Sequence, residues 1–321
     1  MSGLPRLPPW LWTLLRAAAV VLVLVLLGRS VQQGLDGASF ARLHLRPAPL
    51  LAAAGVGALA LLTLAWASVV GARASQGLPP GLPFALQWGR VWFQSYFFRY
   101  VPGKVALVGE RVRLGRRFGL SASASAALVL WESMLLLAAA TVVGMLTFAG
   151  PGAGPALIPP AQAAALGLFA LLCSAALFPA LHVAARLFPR LAALLPPTGG
   201  QPRVLLQLGL TGLNALAWAL LGLSFALTAG ALSPVDPDQH LMLIGVFVAS
   251  YAGGQLAQVA PAGLGVREAF LVAALAGLSD PGTTLAWAVV HRVVLAVVEL
   301  LLLGLAQRVP LPPAPEEPDA A

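Results

Sequence analysis

The 321-residue chain is 59% hydrophobic and only 9% charged, with a mean hydropathy of +0.88, whereas a soluble domain carries about a quarter charged residues. So much apolar surface cannot be hidden in a soluble fold, which sets aside soluble enzymes and predicts an all-α integral membrane protein. The net charge of +8 would suggest nucleic acid in a soluble chain; here the basic residues, all arginine except Lys104, sit mainly in short loops and report topology, so nucleic acid is no partner.

In chain order, the first apolar run is Trp10 to Gly28, preceded by Arg6 and followed by no convincing small-residue cleavage site. It therefore reads as a retained first helix rather than a signal peptide. Ala48 to Gly71 follows, then Phe84 to Val101, which breaks at Pro102-Gly103 and passes into Lys104, Glu110 and Arg111. Ser121 to Gly150 is the next run; Pro151 to Pro160 is a linker, because proline cannot continue a helix and glycine favours a turn. Ala161 to Ala185 contains the sole cysteine, Cys173, which can form no internal disulfide and reads as a buried small hydrophobe. After the Pro196 to Pro202 linker come Val204 to Leu232 and Leu241 to Ala260. The latter breaks at Pro261-Ala262-Gly263-Leu264-Gly265, leading to Arg267-Glu268. Thr283 to Gln307 is the last apolar run, and Pro310 to Ala321 is a Pro-rich acidic tail that reads as disordered.

The two Pro-Gly breaks are 159 residues apart, and the match extends beyond them. Gly119-Leu120-Ser121 recurs as Gly277-Leu278-Ser279, and Trp131-Glu132 falls where His291-Arg292 falls in the second copy. One transmembrane domain over residues 1–309 is therefore expected, with repeat one at about 10–150, repeat two at about 161–309 and the tail at 310–321.

Six runs meet the ~20-residue requirement for crossing ~30 Å of hydrocarbon. The segments before the two breaks could be full crossings or the descending arms of re-entrant hairpins. Eight full spans put both termini outside and make the halves parallel. Six spans plus two hairpins put both termini in the cytoplasm and make the halves inverted, the arrangement common among transporters. The charge rule tolerates both; the inverted arrangement is preferred, with Arg73, Arg113, Arg116, Arg117 and Arg308 cytoplasmic.

The chemistry visible in the sequence is mostly negative. Gly103-Lys104 is no phosphate-binding P-loop, since Phe98 stands where the earlier glycine is needed and Val105 replaces the magnesium-holding Ser or Thr. His44, His182, His240 and His291 lack metal-ligand spacing. Neither a G-x-S-x-G elbow nor an H-E-x-x-H motif occurs. No catalytic residue, metal or cofactor is expected, and Ser121, Ser123 and Ser125 read as helix-start caps.

Charge at membrane depth is what remains. Lys104, Glu110, Arg111, Glu132, Arg267, Glu268, Arg292 and Glu299 lie in or beside apolar segments, where a charge costs ~2.5–3.5 kcal/mol on insertion scales. Such groups must pair or line a wet cavity. Arg90, Arg99 and Glu299 read as interfacial or structural; the others, at or near matched positions of two repeats, read as a site. At the turns, Pro102 and Pro261 remove donors while Gly103, Gly263 and Gly265 permit reversal, leaving backbone groups that only protein or water can satisfy. The following helices would aim their positive ends inward.

Arg99-Tyr100-Val101-Pro102-Gly103-Lys104 with its following arginine, and Pro261-Ala262-Gly263-Leu264-Gly265-Val266-Arg267-Glu268-Ala269, resemble the two signature regions of the lysylphosphatidylglycerol synthase transmembrane, or flippase-like, family. The resemblance spans nearly the whole chain and is more specific in the second segment. It implies a multi-pass protein of the bacterial cytoplasmic (inner) membrane, related to the lipid-translocating half of multiple peptide resistance factor. The cytosolic aminoacyl-transferase domain of bifunctional members is absent from these 321 residues, so synthesis of lysylphosphatidylglycerol is not implied.

The expected function is a lipid flippase or transporter. Lys104, Arg111, Arg267 and Arg292 would meet a lipid-phosphate headgroup, and Glu110, Glu132 and Glu268 would balance their charge. Two alternatives remain: a membrane-embedded lipid-phosphate transferase using Glu132 or Glu268 as base, and a non-catalytic membrane partner of a lipid-modifying enzyme or glycosyltransferase.

Overall fold

The computed structural model describes residues 44–100, 105–149, 204–256 and 265–313, together with helical backbone at positions 162, 165, 168 and 172. The expected spans Trp10 to Gly28 and Ala161 to Ala185, apart from those four positions, lie outside the described residues. So do Pro102, Gly103, Lys104, Pro261, Gly263, Cys173 and the tail beyond Pro313.

Every regular element among the described residues is helical. We number the α-helices α1 (Pro47–Gln76), α2 (Leu82–Phe97), α3 (Val105–Gly115), α4 (Ala122–Ala149), α5 (Val204–Leu232), α6 (His240–Leu256), α7 (Val266–Ala274) and α8 (Pro281–Ala306). Four of these, α1, α4, α5 and α8, are long and apolar enough to cross a membrane. Their outward side chains are apolar as well, with Leu51 74% and Leu205 85% exposed, which suits a surface solvated by lipid tails.

Local chemistry sets the helix ends. Pro47 and Pro83 stand in the first turns of α1 and α2, where no N–H is required, and Gly77 closes α1 at φ 63°. The Ser121 hydroxyl accepts the Ala124 amide at 3.1 Å, the helix-start role expected of it. At α8, the Asp280 carboxylate accepts the Thr283 amide at 3.0 Å and its hydroxyl at 2.7 Å, which holds the Asp280 carboxyl below its ordinary pKa range.

The core is built on α1 against α5. The His44 amide bonds the Leu232 carbonyl and the Arg46 amide the Ala231 carbonyl, so the start of α1 lies beside the end of α5 and the two run antiparallel. About two turns further along, the Ser224 hydroxyl donates to the Ala53 carbonyl at 2.8 Å. Helix α6 crosses α5 at Gly222, where a Cβ would stand 2.7 Å from Ile244 Cγ2 and 3.0 Å from its backbone. A small residue is what permits that approach, and close backbone packing is the main attraction between helices in lipid.

Helices α2 and α3 form a hairpin. The Phe118 ring, just past α3, meets Phe84 at 5.9 Å and Trp88 at 5.4 Å, both early in α2. The chain thus returns to the level at which it set out. In the same way α7 packs back along α6, its Arg267 lying over Tyr251 and Phe247. At 1.5 Å per residue, the 16 residues of α2 and 17 of α6 reach about 24 to 26 Å, short of the ~30 Å hydrocarbon core. Arg90, midway along α2, donates to the Val309 carbonyl and Arg117, just past α3, to the Pro312 carbonyl, tying the segment after α8 to this hairpin.

Candidate functional site: a charged cavity inside an apolar bundle

Glu132 of α4 is the centre of a four-helix polar network. The Ser68 hydroxyl of α1 donates to Glu132 Oε1 at 2.5 Å and accepts the indole N–H of Trp88 of α2 at 3.1 Å. Arg111 of α3 is buried; its Nη1 donates to Glu132 Oε1 at 3.0 Å and to Ser68 Oγ at 3.3 Å. Its Nε donates to the Ser95 hydroxyl of α2 at 2.9 Å, and Ser95 in turn donates to the Val91 carbonyl at 2.8 Å. Each link is reached because α2 and α3 fold back beside α1 and α4. The guanidinium therefore joins the first hairpin to the two long helices it rests against.

A cavity of about 240 Å³ opens beside this network. Its polar lining includes Ser68, Tyr96, Arg99, Arg111, Glu132 and Asn214, in a wall that is otherwise mainly aliphatic and aromatic. Leu130 and Met134 of α4 also line it and are 50% and 45% exposed, so the cavity reaches the outer surface of the bundle along that helix. The Glu132 side chain is 20% exposed. Only Oε1 of its two oxygens accepts hydrogen bonds from the described residues.

A second charged cluster lies where the hairpins approach each other. Arg99, after α2, pairs with Glu299 of α8 and lies over the Tyr96 ring at 4.0 Å. Tyr251 of α6 stands near Tyr96. Arg267 stands 4.2 Å from the Tyr251 ring centre, and Arg292 of α8 pairs with Glu268 of α7. The other Glu268 oxygen accepts the Gly265 amide at 2.8 Å, at the start of α7, where Gly265 has φ 80°. An ordinary side chain rarely adopts that backbone region.

Of the residues singled out from the sequence, Arg111 and Glu132 come together in the cavity wall. Arg267, Arg292 and Glu268 gather at the second hairpin, outside that wall. Glu110 is also buried and accepts hydrogen bonds from Arg113 Nε and Nη2, both at 2.7 Å, three residues along the same helix. Arg99 and Glu299, read as interfacial or structural, form a largely buried pair, and Arg99 lines the cavity. Ser68, Ser95, Tyr96 and Asn214 were not foreseen. They sit in apolar runs with no charge to mark them.

His291 of α8 makes a separate junction. Its Nε2 is 3.1 Å from the Ser224 hydroxyl, and its ring meets Phe247 and Phe225 edge-on at 4.9 and 5.5 Å. It is not part of the cavity wall.

No protein-family model matches the chain, and no curated protein matches it.

Proposed function

We propose that this protein is a lipid transporter of the flippase-like type, moving a phospholipid or other lipid-phosphate across the bacterial cytoplasmic membrane. The observation that carries this reading is the cavity: two arginines and a glutamate at its wall, within helices whose outer faces are apolar, and a side opening along α4. A headgroup could enter there while its acyl chains stayed in lipid. Charged groups inside a membrane protein are costly and are found where they line a pathway or pair with one another.

In this reading the hairpins α2–α3 and α6–α7 are re-entrant and the halves α1–α4 and α5–α8 are inverted copies. Support comes from lengths: 30, 16, 11 and 28 residues in the first four helices, 29, 17, 9 and 26 in the second four. The starts of α4 and α8, Ala122 and Pro281, are 159 residues apart, the same spacing as Pro102 and Pro261. This register sets Glu132 opposite His291, one residue from the pairing suggested by the sequence motifs. Six full spans and a cytoplasmic N-terminus complete the proposal.

Purified protein in liposomes containing headgroup-labelled lipids, over a panel that includes polyprenyl phosphates, tests it. Faster crossing than in protein-free liposomes for at least one lipid is expected. No acceleration across the panel would overturn the transporter reading.

A further inference from the structure

We infer that the headgroup carries a sugar: the cavity beside Glu132 suits a hexose joined to the lipid through its phosphate. This deepens the lipid-phosphate reading and rests on it. The first observation is that the open polar groups of the wall are acceptors. Glu132 Oε1 is taken by Ser68 and Arg111, while Oε2 accepts nothing from the described residues. The Ser133 hydroxyl gives its hydrogen to the Val129 carbonyl at 2.8 Å and keeps only its lone pairs. Asn214 donates an amide N–H to the Leu210 carbonyl at 2.8 Å, and its side-chain oxygen accepts nothing from the described residues. All three residues line the cavity.

An ionised phosphate only accepts, so it fits the Arg111 guanidinium and leaves these three oxygens unsatisfied. The ligand must bring donors of its own. Glu132 and Ser133 are successive residues of α4, about 100° apart around the helix axis, and Asn214 stands on α5. One ammonium group, with its donors on a single atom, cannot serve oxygens so dispersed. Hydroxyls set around a ring can.

The second observation is the rest of the wall. Trp92, Tyr96 and Trp218 all line it. Trp92 and Tyr96 stack with ring centres 4.3 Å apart, and Trp218 commits its indole N–H to the Leu136 carbonyl at 2.8 Å. Rigid aromatic rings pack against the C–H faces of a pyranose, and a few placed polar groups in such a lining fix the orientation of its hydroxyls. The volume agrees. The cavity's 240 Å³ is the liquid share of about eight waters, far more than a bare phosphate fills and enough for a six-membered sugar ring.

Two measurements on the full chain test this. In micelles of a sugar-free detergent, tryptophan fluorescence is followed while a short-chain polyprenyl phosphate is added, either bare or bearing glucose, mannose or galactose on the phosphate. At least one glycosylated form should bind about tenfold tighter than the bare phosphate and than phosphatidylethanolamine, the gain of one or two hydrogen bonds. Asn214→Leu, which keeps the size of the side chain, should narrow that preference to about threefold or less. A ratio of affinities is not moved by a general loss of folded protein. Equal binding of the bare phosphate, tighter binding of phosphatidylethanolamine, or a preference that survives Asn214→Leu intact overturns the proposal. In liposomes, the same glycosylated lipid should cross about tenfold faster than the bare polyprenyl phosphate or phosphatidylglycerol. Equal or faster crossing by the sugar-free lipids overturns the proposal while leaving lipid transport standing. If no lipid moves, the transporter reading fails and the binding ratio alone decides the sugar site.

Discussion

Where α4 meets α1, a carboxylate accepts a serine hydroxyl and a buried guanidinium beside a cavity. Where α8 meets α5, an imidazole meets a serine hydroxyl against two phenylalanine rings. Glu132 and His291 are 159 residues apart, and their serine partners, Ser68 and Ser224, differ from that spacing by about one helical turn. The layout is alike and the chemistry is not. The first junction requires a charge partner to exist at all, whereas the second can be satisfied by packing and one hydrogen bond. A single scaffold can thus hold a cavity-facing charge at one crossing and a packed aromatic contact at the other.

Breaking the charged junction should have the largest effect. Glu132→Leu leaves Arg111 buried without its carboxylate, and the loss is put at about 3–5 kcal/mol, the range for removing one partner of a buried pair. Unfolding in mixed micelles measures it. His291→Leu should cost about 1 kcal/mol in the same assay, since it removes one hydrogen bond and Ser224 retains its bond to the Ala53 carbonyl. Equal losses in the two variants would erase the distinction between the junctions.

Between these falls Gly222→Ala, where the new methyl would press on Ile244 and overpacking should cost about 1–3 kcal/mol. The smallest effect is expected at Asp280. The Thr283 bonds depress its pKa in the folded state, so the carboxylate contributes stability above the ordinary carboxylate range, and that contribution is lost as pH falls through the depressed value. Asp280→Ala should cost about 1 kcal/mol at neutral pH, typical of a lost helix cap. It should also flatten this part of the acid-side slope. Topology sharpens the comparison differently: a reporter fused after Ala321 should read as cytoplasmic if the hairpins are re-entrant, and an external reading favours eight spans.

Long apolar runs were legible because spanning a bilayer needs length and little else, and α1, α4, α5 and α8 fall within or close to the expected bounds. The separation of α2 from α3 and of α6 from α7 was legible because proline and glycine interrupt a helix wherever they fall. Partner choice was not. Arg99 and Glu299 are 200 residues apart and meet only through packing of the first hairpin against α8. Ser68, Ser95 and Asn214 look like the small polar residues that bond their own helix carbonyls, as Ser95 and Asn214 also do. Glu110 with Arg113 carried a signal that went unused, because residues three apart on a helix are neighbours.

The proposed transport requires lipid to pass through the cavity beside Glu132. Ser133 lines that cavity from the exposed side of α4, so Ser133→Trp would fill the opening without entering the core. In liposomes, wild-type protein should speed the crossing of a headgroup-labelled lipid, and Ser133→Trp, incorporated at equal density and equally folded, should slow that crossing about tenfold or more, equivalent to a barrier raised by ~1.4 kcal/mol. Crossing by the variant at the wild-type rate would contradict the account.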